Sequence, residues 1–356
     1  MADAIKVAVV LPVSPAMLEA IRNVSGRLSV TYLSQMQRLM YRDGKPLWAG
    51  YAEPVPDGTE SEEEAKAVVA GVLAESEILL SNPVVPDDIL KRSPNLKWVQ
   101  LTSAGADRLI DSEMVRSSNV TVTTASGIHA VPIGEWVIGA MIAFAKGFPR
   151  AFRSQQDNTW RPYLASELEG ATVGIVGLGA IGRHVAKLAR AFGMRVIATR
   201  RSQEKRATGA SVGESDVDEV YARSELSALL SDSDYVVLAM PLTEESRHLI
   251  GEIELASMKR SAVIVNIARG AVIDQRALID AVRNGVIGGA ALDVTDPEPL
   301  PPESELWTLD NVMITPHISG GTPRYMDRAI ELFCDNLRRY LAGQPLRNLV
   351  DADRGY

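Results

Sequence analysis

Val173-Gly174-Ile175-Val176-Gly177-Leu178-Gly179-Ala180-Ile181-Gly182 is the stretch on which the reading of this chain turns. Its first four residues have the apolar character of a buried parallel strand, and Gly177-x-Gly179-x-x-Gly182 follows without a spacer. Ile181, Val185, Leu188, Ala189 and Phe192 then recur at helical spacing until Gly193. In such a unit the first glycine makes a tight turn and the second lets backbone approach a pyrophosphate. The third lets the helix pack on the strand. The helix start at Ala180 and Ile181 offers N–H groups and a partial positive charge to phosphates. The expectation is a dinucleotide site.

Outward from this loop, strand patterns at 172–176, 195–199, 235–239, 262–267, 289–293 and 312–315 alternate with helical patterns at 181–192, 225–231, 253–259 and 275–284. Alternation of this kind builds a parallel sheet with helices on both faces, and six strands suit the doubly wound dinucleotide fold. Upstream, Lys6 to Leu11, Leu28 to Leu33, Glu77 to Leu80, Leu96 to Leu101 and Val120 to Thr123 read as strands. Residues 15–24 and Ser61 to Leu73 read as helices, with 34–61 as an insertion or long loop. Residues 131–146 form a long apolar helix expected to be buried against something, a domain interface or a second subunit being candidates, and 150–170 are polar and loop-like. Ser319-Gly320-Gly321 reads as a flexible joint before an amphipathic helix at 323–341. The predicted architecture is α/β with two domains. A Rossmann doubly wound parallel sheet, 127–319, is inserted into a smaller flavodoxin-like α/β domain made of 1–126 and 320–356.

Bulk properties narrow the partners. The chain has 356 residues and a net charge of −8, which argues against holding nucleic acid by bulk attraction. A single cysteine, Cys334, leaves no intrachain disulfide and no thiolate cluster, and no His or acid spacing suggests a metal. The N-terminus lacks the basic flank and apolar core of a signal peptide, and no apolar run approaches the roughly 18 residues of a bilayer span. The expected setting is cytoplasmic, with no membrane partner.

The second strand of the dinucleotide unit ends in Ala198-Thr199-Arg200-Arg201-Ser202. An acid is expected near this point when the adenosine ribose carries free hydroxyls. Here there is none. An arginine fork pairs with a 2′-phosphate that a carboxylate would repel. NADP is therefore predicted over NAD, with NAD still possible, and with Arg200 or Arg201 and Ser202 at the phosphate.

Three further segments end predicted strands: Asn266-Ile267-Ala268-Arg269-Gly270, Ala291-Leu292-Asp293-Val294 running on to Glu298-Pro299-Leu300-Pro301, and Thr315-Pro316-His317. Ligands of doubly wound sheets bind at the carboxyl ends of the strands, so Arg269, Asp293, Glu298 and His317 can converge beside a nicotinamide. Hydride delivery to a ketone leaves an alkoxide that needs a proton, which a histidine can give or take. A nearby carboxylate favours the imidazolium, and an arginine fork suits an anionic 2-oxo acid. Asp296 competes with Glu298 for the carboxylate role. His129 at a helix start, His184 on the glycine-loop helix and His248 in a polar helix read as structural.

With these motifs in order, together with Ser103-Ala104-Gly105-Ala106-Asp107, Pro241-Leu242-Thr243 and the Gly320 that follows His317, the chain resembles the D-isomer-specific 2-hydroxyacid dehydrogenase family from about Leu96 to Leu341. The resemblance implies that Arg269 clamps the carboxylate and keto oxygen of the substrate. His317 would be the acid in reduction and the base in oxidation, and Glu298 would hydrogen-bond the imidazole and raise its pKa. Asp293 would hold the nicotinamide carboxamide. Pro241, Thr243, Ile267, Ala268 and Gly320 would line the cofactor. Ser103 and the N–H groups of Ala104 and Gly105 would bind substrate from the other domain. The basic pair at Arg200-Arg201 departs from the family's commoner acid. No regulatory domain is read after residue 341, which disfavours the long phosphoglycerate dehydrogenases. The expected activity is reduction of a small 2-oxo acid of the glyoxylate or hydroxypyruvate type, or oxidation of a D-2-hydroxy acid, by a homodimer. The alternative is a dinucleotide-sensing, corepressor-like binding protein on the same fold.

Overall fold

The computed structural model describes residues 4–33, 62–83, 85–106, 109–116, 119–201, 205–208 and 215–353. The segment 34–61, read as an insertion, and Ser202 lie outside them. The chain forms two compact units, Met1–Ile128 with Thr322–Tyr356, and His129–Gly321.

In the first unit, β1 (Ile5–Val9), β2 (Leu28–Tyr32), β3 (Ile78–Ser81), β4 (Trp98–Leu101) and β5 (Thr121–Thr123) pair in parallel in the order β2-β1-β3-β4-β5. This is the flavodoxin-like order. The two-residue period of a strand divides the side chains between two cores. Val7, Val9, Ile78, Leu80 and Trp98 join one core, closed by Ile330, Phe333, Cys334 and Leu337 of the helix Tyr325–Leu341. Ala8, Val10, Leu79 and Val99 join the other, closed by Val69 and Leu73 of the helix Glu62–Glu75. The central strand β3 is apolar over Ile78, Leu79 and Leu80 because both of its faces are covered, whereas the edge strand β2 alternates with exposed Ser29 and Thr31.

The second unit holds β6 (Thr172–Val176), β7 (Arg195–Thr199), β8 (Ala207–Thr208), β9 (Glu219–Tyr221), β10 (Tyr235–Leu238), β11 (Val263–Asn266), β12 (Gly289–Leu292) and β13 (Val312–Ile314). Their order is β13-β12-β11-β10-β6-β7-β9-β8, parallel except for the pair β8 and β9. Among the described residues, eight strands therefore stand where six were expected. The third strand of the dinucleotide unit is the short β9, which pairs with β7 through Thr199 and Tyr221. The order reverses between β6 and β10, the crevice where such sheets bind ligands.

Three local expectations change. The stretch 150–170 is not all loop, because Phe148–Gln156 is a helix with Pro149 in its first turn. His248 is not helical: it sits in a turn with φ +50°. Phe192 is 44% exposed and leaves the buried face of the helix Ala180–Ala191 to Gly182, Val185, Ala186 and Ala189. The apolar helix Ala130–Ala145 packs inside its own unit, on the helix Ala180–Ala191, with His184 and Leu188 against Gly134. Among the described residues no single helix is long and apolar enough to cross a membrane.

Candidate active site

The glycine loop separates its three jobs by geometry. Gly177 has φ +105°, and a Cβ there would lie 2.7 Å from the Ala239 carbonyl oxygen. A Cβ on Gly182 would lie 2.2 Å from the Gly177 carbonyl oxygen, so this position is required by helix–strand packing. A Cβ on Gly179 would meet no atom within 4 Å. The protein itself has no steric need for glycine there, and an open approach to backbone at a helix start fits a pyrophosphate. The helix Ala180–Ala191 begins at Gly179 with no side-chain cap. Ala180 is exposed and Ile181 half-buried at that start. These features fit a dinucleotide.

The ends of β11, β12 and β13 carry the proton-handling groups. After β11, Asn266 Nδ2 donates to the Arg269 carbonyl at 2.9 Å, and the Ala268 N–H donates to Asn266 Oδ1 at 3.0 Å. This closes a tight turn with Ile267 and Ala268 buried and Arg269 half-exposed at its tip. Gly270 lets the turn approach the next loop: a Cβ there would lie 2.0 Å from the Thr295 carbonyl. After β12, Asp293 is 1% exposed. Its Oδ1 accepts from the Thr315 hydroxyl at 2.5 Å and the Ile318 N–H at 2.9 Å, and its Oδ2 accepts from the Ser319 N–H at 2.9 Å. The His317 N–H donates to the Asp293 carbonyl at 2.8 Å. The Ser319-Gly320-Gly321 stretch is thus anchored at its first residue rather than loose throughout. His317 itself is held at φ +54°, the left-handed region that a non-glycine residue enters only when its surroundings impose it.

His317 Nδ1 lies 2.6 Å from Glu298 Oε1, so the imidazole partner is Glu298 and not Asp296. Burial pushes the Glu298 carboxyl up. The hydrogen bond and charge of His317, the Arg269 charge and a backbone bond from Thr295 outweigh that and hold it below the ordinary carboxylate range. Arg269 thus lies close enough to act on Glu298. Glu298 engages Nδ1, so the opposite ring nitrogen, Nε2, is the atom suited to exchange a proton with a substrate oxygen.

Pro241 and Thr243 form a turn after β10, in which Ser246 Oγ donates to the Pro241 carbonyl at 2.8 Å and accepts from the Thr243 N–H at 2.7 Å. A Cβ on Gly320 would lie 2.9 Å from the His129 ring. At the end of β7, Arg200 is half-buried and Arg201 exposed. Two residues missed in the sequence join them. Glu245 Oε2 lies 3.9 Å from Arg201 Nη2 and 2.8 Å from Arg223 Nη2. Arg223 follows β9, and the unrecognised strand hid it. In the other unit, Ser103, Ala104 and Gly105 form a half-buried loop after β4, with Ser103 Oγ donating to the Gly105 carbonyl at 2.7 Å.

Comparison with known proteins gives the family and the fold. The family profile for the D-isomer specific 2-hydroxyacid dehydrogenase NAD binding domain matches residues 138–319. A glyoxylate reductase of Korarchaeum cryptofilum is 34% identical over 284 residues, covering 77% of this chain and 82% of that protein. D-3-phosphoglycerate dehydrogenase of Methanocaldococcus jannaschii is 34% identical over 276 residues, 77% of this chain but only 51% of that longer protein. The crystal structure of a D-isomer specific 2-hydroxyacid dehydrogenase from Xanthobacter autotrophicus in complex with NADPH and MES superposes with a TM-score of 0.76 at 28% identity, covering 100% of both chains.

Proposed function

The chain belongs to the D-isomer-specific 2-hydroxyacid dehydrogenase family, and on that premise we propose that it is an NADPH-preferring reductase of a small 2-oxo acid of the glyoxylate or hydroxypyruvate type. NAD(P)-dependent 2-oxo acid reduction is the activity of the family members it resembles. The binding-protein alternative is not favoured. The observation that carries the reading is the His317–Glu298 contact at 2.6 Å, with the Arg269 charge beside it at the carboxyl ends of parallel strands.

The bound nicotinamide, when reduced, supplies the hydride. Arg269 pairs its planar fork with the carboxylate and keto oxygen of the substrate, fixing the carbonyl and drawing charge onto its oxygen. His317 donates the Nε2 proton to that oxygen as negative charge develops on it, and takes it back in oxidation. Glu298 orients the ring and balances the imidazolium. Gly177, Gly179, Ala180, Ile181 and Gly182 cradle the pyrophosphate, and Arg200 and Arg201 meet the 2′-phosphate. Pro241, Thr243, Ile267, Ala268, Asp293 and Gly320 line the remaining cofactor surface. Ser103, Ala104 and Gly105 are the substrate-binding loop of their own unit.

A panel of 2-oxo acids assayed with NADPH and NADH tests the proposal. Turnover of glyoxylate or hydroxypyruvate faster with NADPH is the expected result, and no turnover of any small 2-oxo acid despite cofactor binding overturns it. Arg269→Ala should lower kcat/KM by about 10²- to 10³-fold while leaving NADPH binding intact.

A second copy of this chain is the proposed occupant of an apolar surface on the His129–Gly321 unit. Phe148 and Phe152 are 41% and 61% exposed, and Trp160 and Leu164 are 95% and 100% exposed. Single exposed apolar residues are ordinary, but four within seventeen positions are an interface composition. Light scattering should give a dimer mass, and Phe152→Glu with Trp160→Glu should give a monomer.

A further inference from the structure

The parallel pairing of β7 with β9 sets Thr199 opposite Tyr221, so Arg201 and Arg223 stand two residues beyond paired positions on neighbouring strands. Both guanidinium groups reach one carboxylate oxygen, Glu245 Oε2, at 3.9 and 2.8 Å. Glu245 comes from the turn after β10, on the same carboxyl edge of the sheet. The three side chains are about half exposed, so the carboxylate is held by charge and not by burial.

We propose that Glu245 is an internal counter-ion that competes with the cofactor's 2′-phosphate for Arg201 and Arg223, and so sets the NADP-to-NAD preference. The inference rests on the reading that Arg201 meets the 2′-phosphate. A carboxylate and a phosphate present the same oxygens to an arginine fork, and the two cannot share it without repulsion. NADPH must therefore displace Glu245 from Arg201 and Arg223. NADH carries no charge at that position and leaves the Arg–Glu cluster in place. Glu245 thus weakens NADPH selectively, and Arg223 is a second fork for the phosphate on the adjacent strand.

The test is the dissociation constant of NADPH and of NADH, measured by nucleotide fluorescence on the full chain at low and high salt. Glu245→Gln, which keeps the shape and removes the charge, should tighten NADPH by about fivefold at low salt, the scale of one close charge pair in water. NADH should move by less than about twofold, and the gain should shrink at high salt. Arg223→Ala should weaken NADPH by about fivefold and spare NADH. Unchanged or weaker NADPH binding in Glu245→Gln, with Arg201→Ala still losing NADPH, overturns the counter-ion role alone. If wild-type chain binds NADPH no tighter than NADH, and Arg201→Ala alters neither, the phosphate reading fails and takes this inference with it. None of these measurements involves the 2-oxo acid, so a wrong substrate class leaves them interpretable.

Discussion

Asp293 and Glu298 are carboxylates five residues apart with opposite assignments. Asp293 is buried, and its carboxylate accepts from Thr315, Ile318 and Ser319, the residues that flank His317. Replacing it with alanine leaves three donors without an acceptor, each at a desolvation cost of about 1–3 kcal/mol. It also frees a His317 backbone whose left-handed conformation costs about 1–3 kcal/mol to hold. Asp293→Ala should therefore lower the melting temperature markedly, and should lower kcat more than the same loss of stability introduced elsewhere in the unit. A variant that melts like wild type would remove Asp293 as the anchor. Glu298 is different, being 43% exposed at its side chain. Its folded pKa is depressed, so its contribution to stability is present above the unfolded carboxylate value and is lost as pH falls through the folded one. Screening limits that contribution to about 0.2–1 kcal/mol. Glu298→Gln should thus melt slightly below wild type at pH 7, with the gap closing in acid, while kcat/KM falls by about 10²-fold or more. A stability gap that widens on acidification would reverse the sign of this assignment.

The glycine loop and its helix act as one element in which neighbouring glycines should fail differently. Gly182→Ala pushes a methyl group against the Gly177 carbonyl, backbone that cannot swing away, so β6 and its helix must part. The expected outcome is a fall in stability of about 1–3 kcal/mol by urea unfolding, with nucleotide binding lost as a consequence. Gly179→Ala places its methyl group in open space. It should melt as wild type yet bind NADPH at least tenfold more weakly, since the cofactor occupies that space. Equal stability losses in the two variants would undo the distinction. This element was legible in sequence because strand, loop and helix each carry their own period, and β6 and β7 occupy the predicted ranges. Other elements were not. Glu219-Val220-Tyr221 is too short to show a two-residue alternation, and only pairing with β7 makes it a strand. The polar stretch from 150 reads as loop, whereas Gly147 ends one helix in the left-handed region and Pro149 opens the next. Arg269, Glu298 and His317 were legible because strand ends mark ligand sites. Arg223 and Glu245 were not, because their meeting depends on the register of the strand that went unseen.

At the scale of the whole molecule, the unit formed by Met1–Ile128 and Thr322–Tyr356 is built from the two ends of the chain, and the tie between them is partly polar. Asn336, fully buried on the helix Tyr325–Leu341, donates to Gln100 Oε1 at 2.9 Å across 236 residues of sequence. Its Oδ1 accepts from the Arg347 N–H at 2.8 Å. Gln100 Oε1 also accepts from Thr123 Oγ1 at 2.9 Å, and Thr123 Oγ1 accepts from the Trp98 indole at 2.8 Å. The network fixes the helix on β4 and β5 in one register, where apolar packing alone would tolerate sliding. Asn336→Leu fits the space approximately but leaves the Arg347 N–H unpartnered and Gln100 short of one donor. The cost is about 2–4 kcal/mol, confined to this unit. The dinucleotide loop belongs to the other unit, His129–Gly321, while Asn336 bonds to Gln100 and Arg347 of its own unit. Calorimetry of the variant should therefore show an early transition at lower temperature and a later one at the wild-type position, and added NADPH should raise the later one by mass action. If NADPH binding were lost together with the early transition, the two units would not hold their stability separately. If Asn336→Leu melted as wild type, the helix would be held by its apolar face alone.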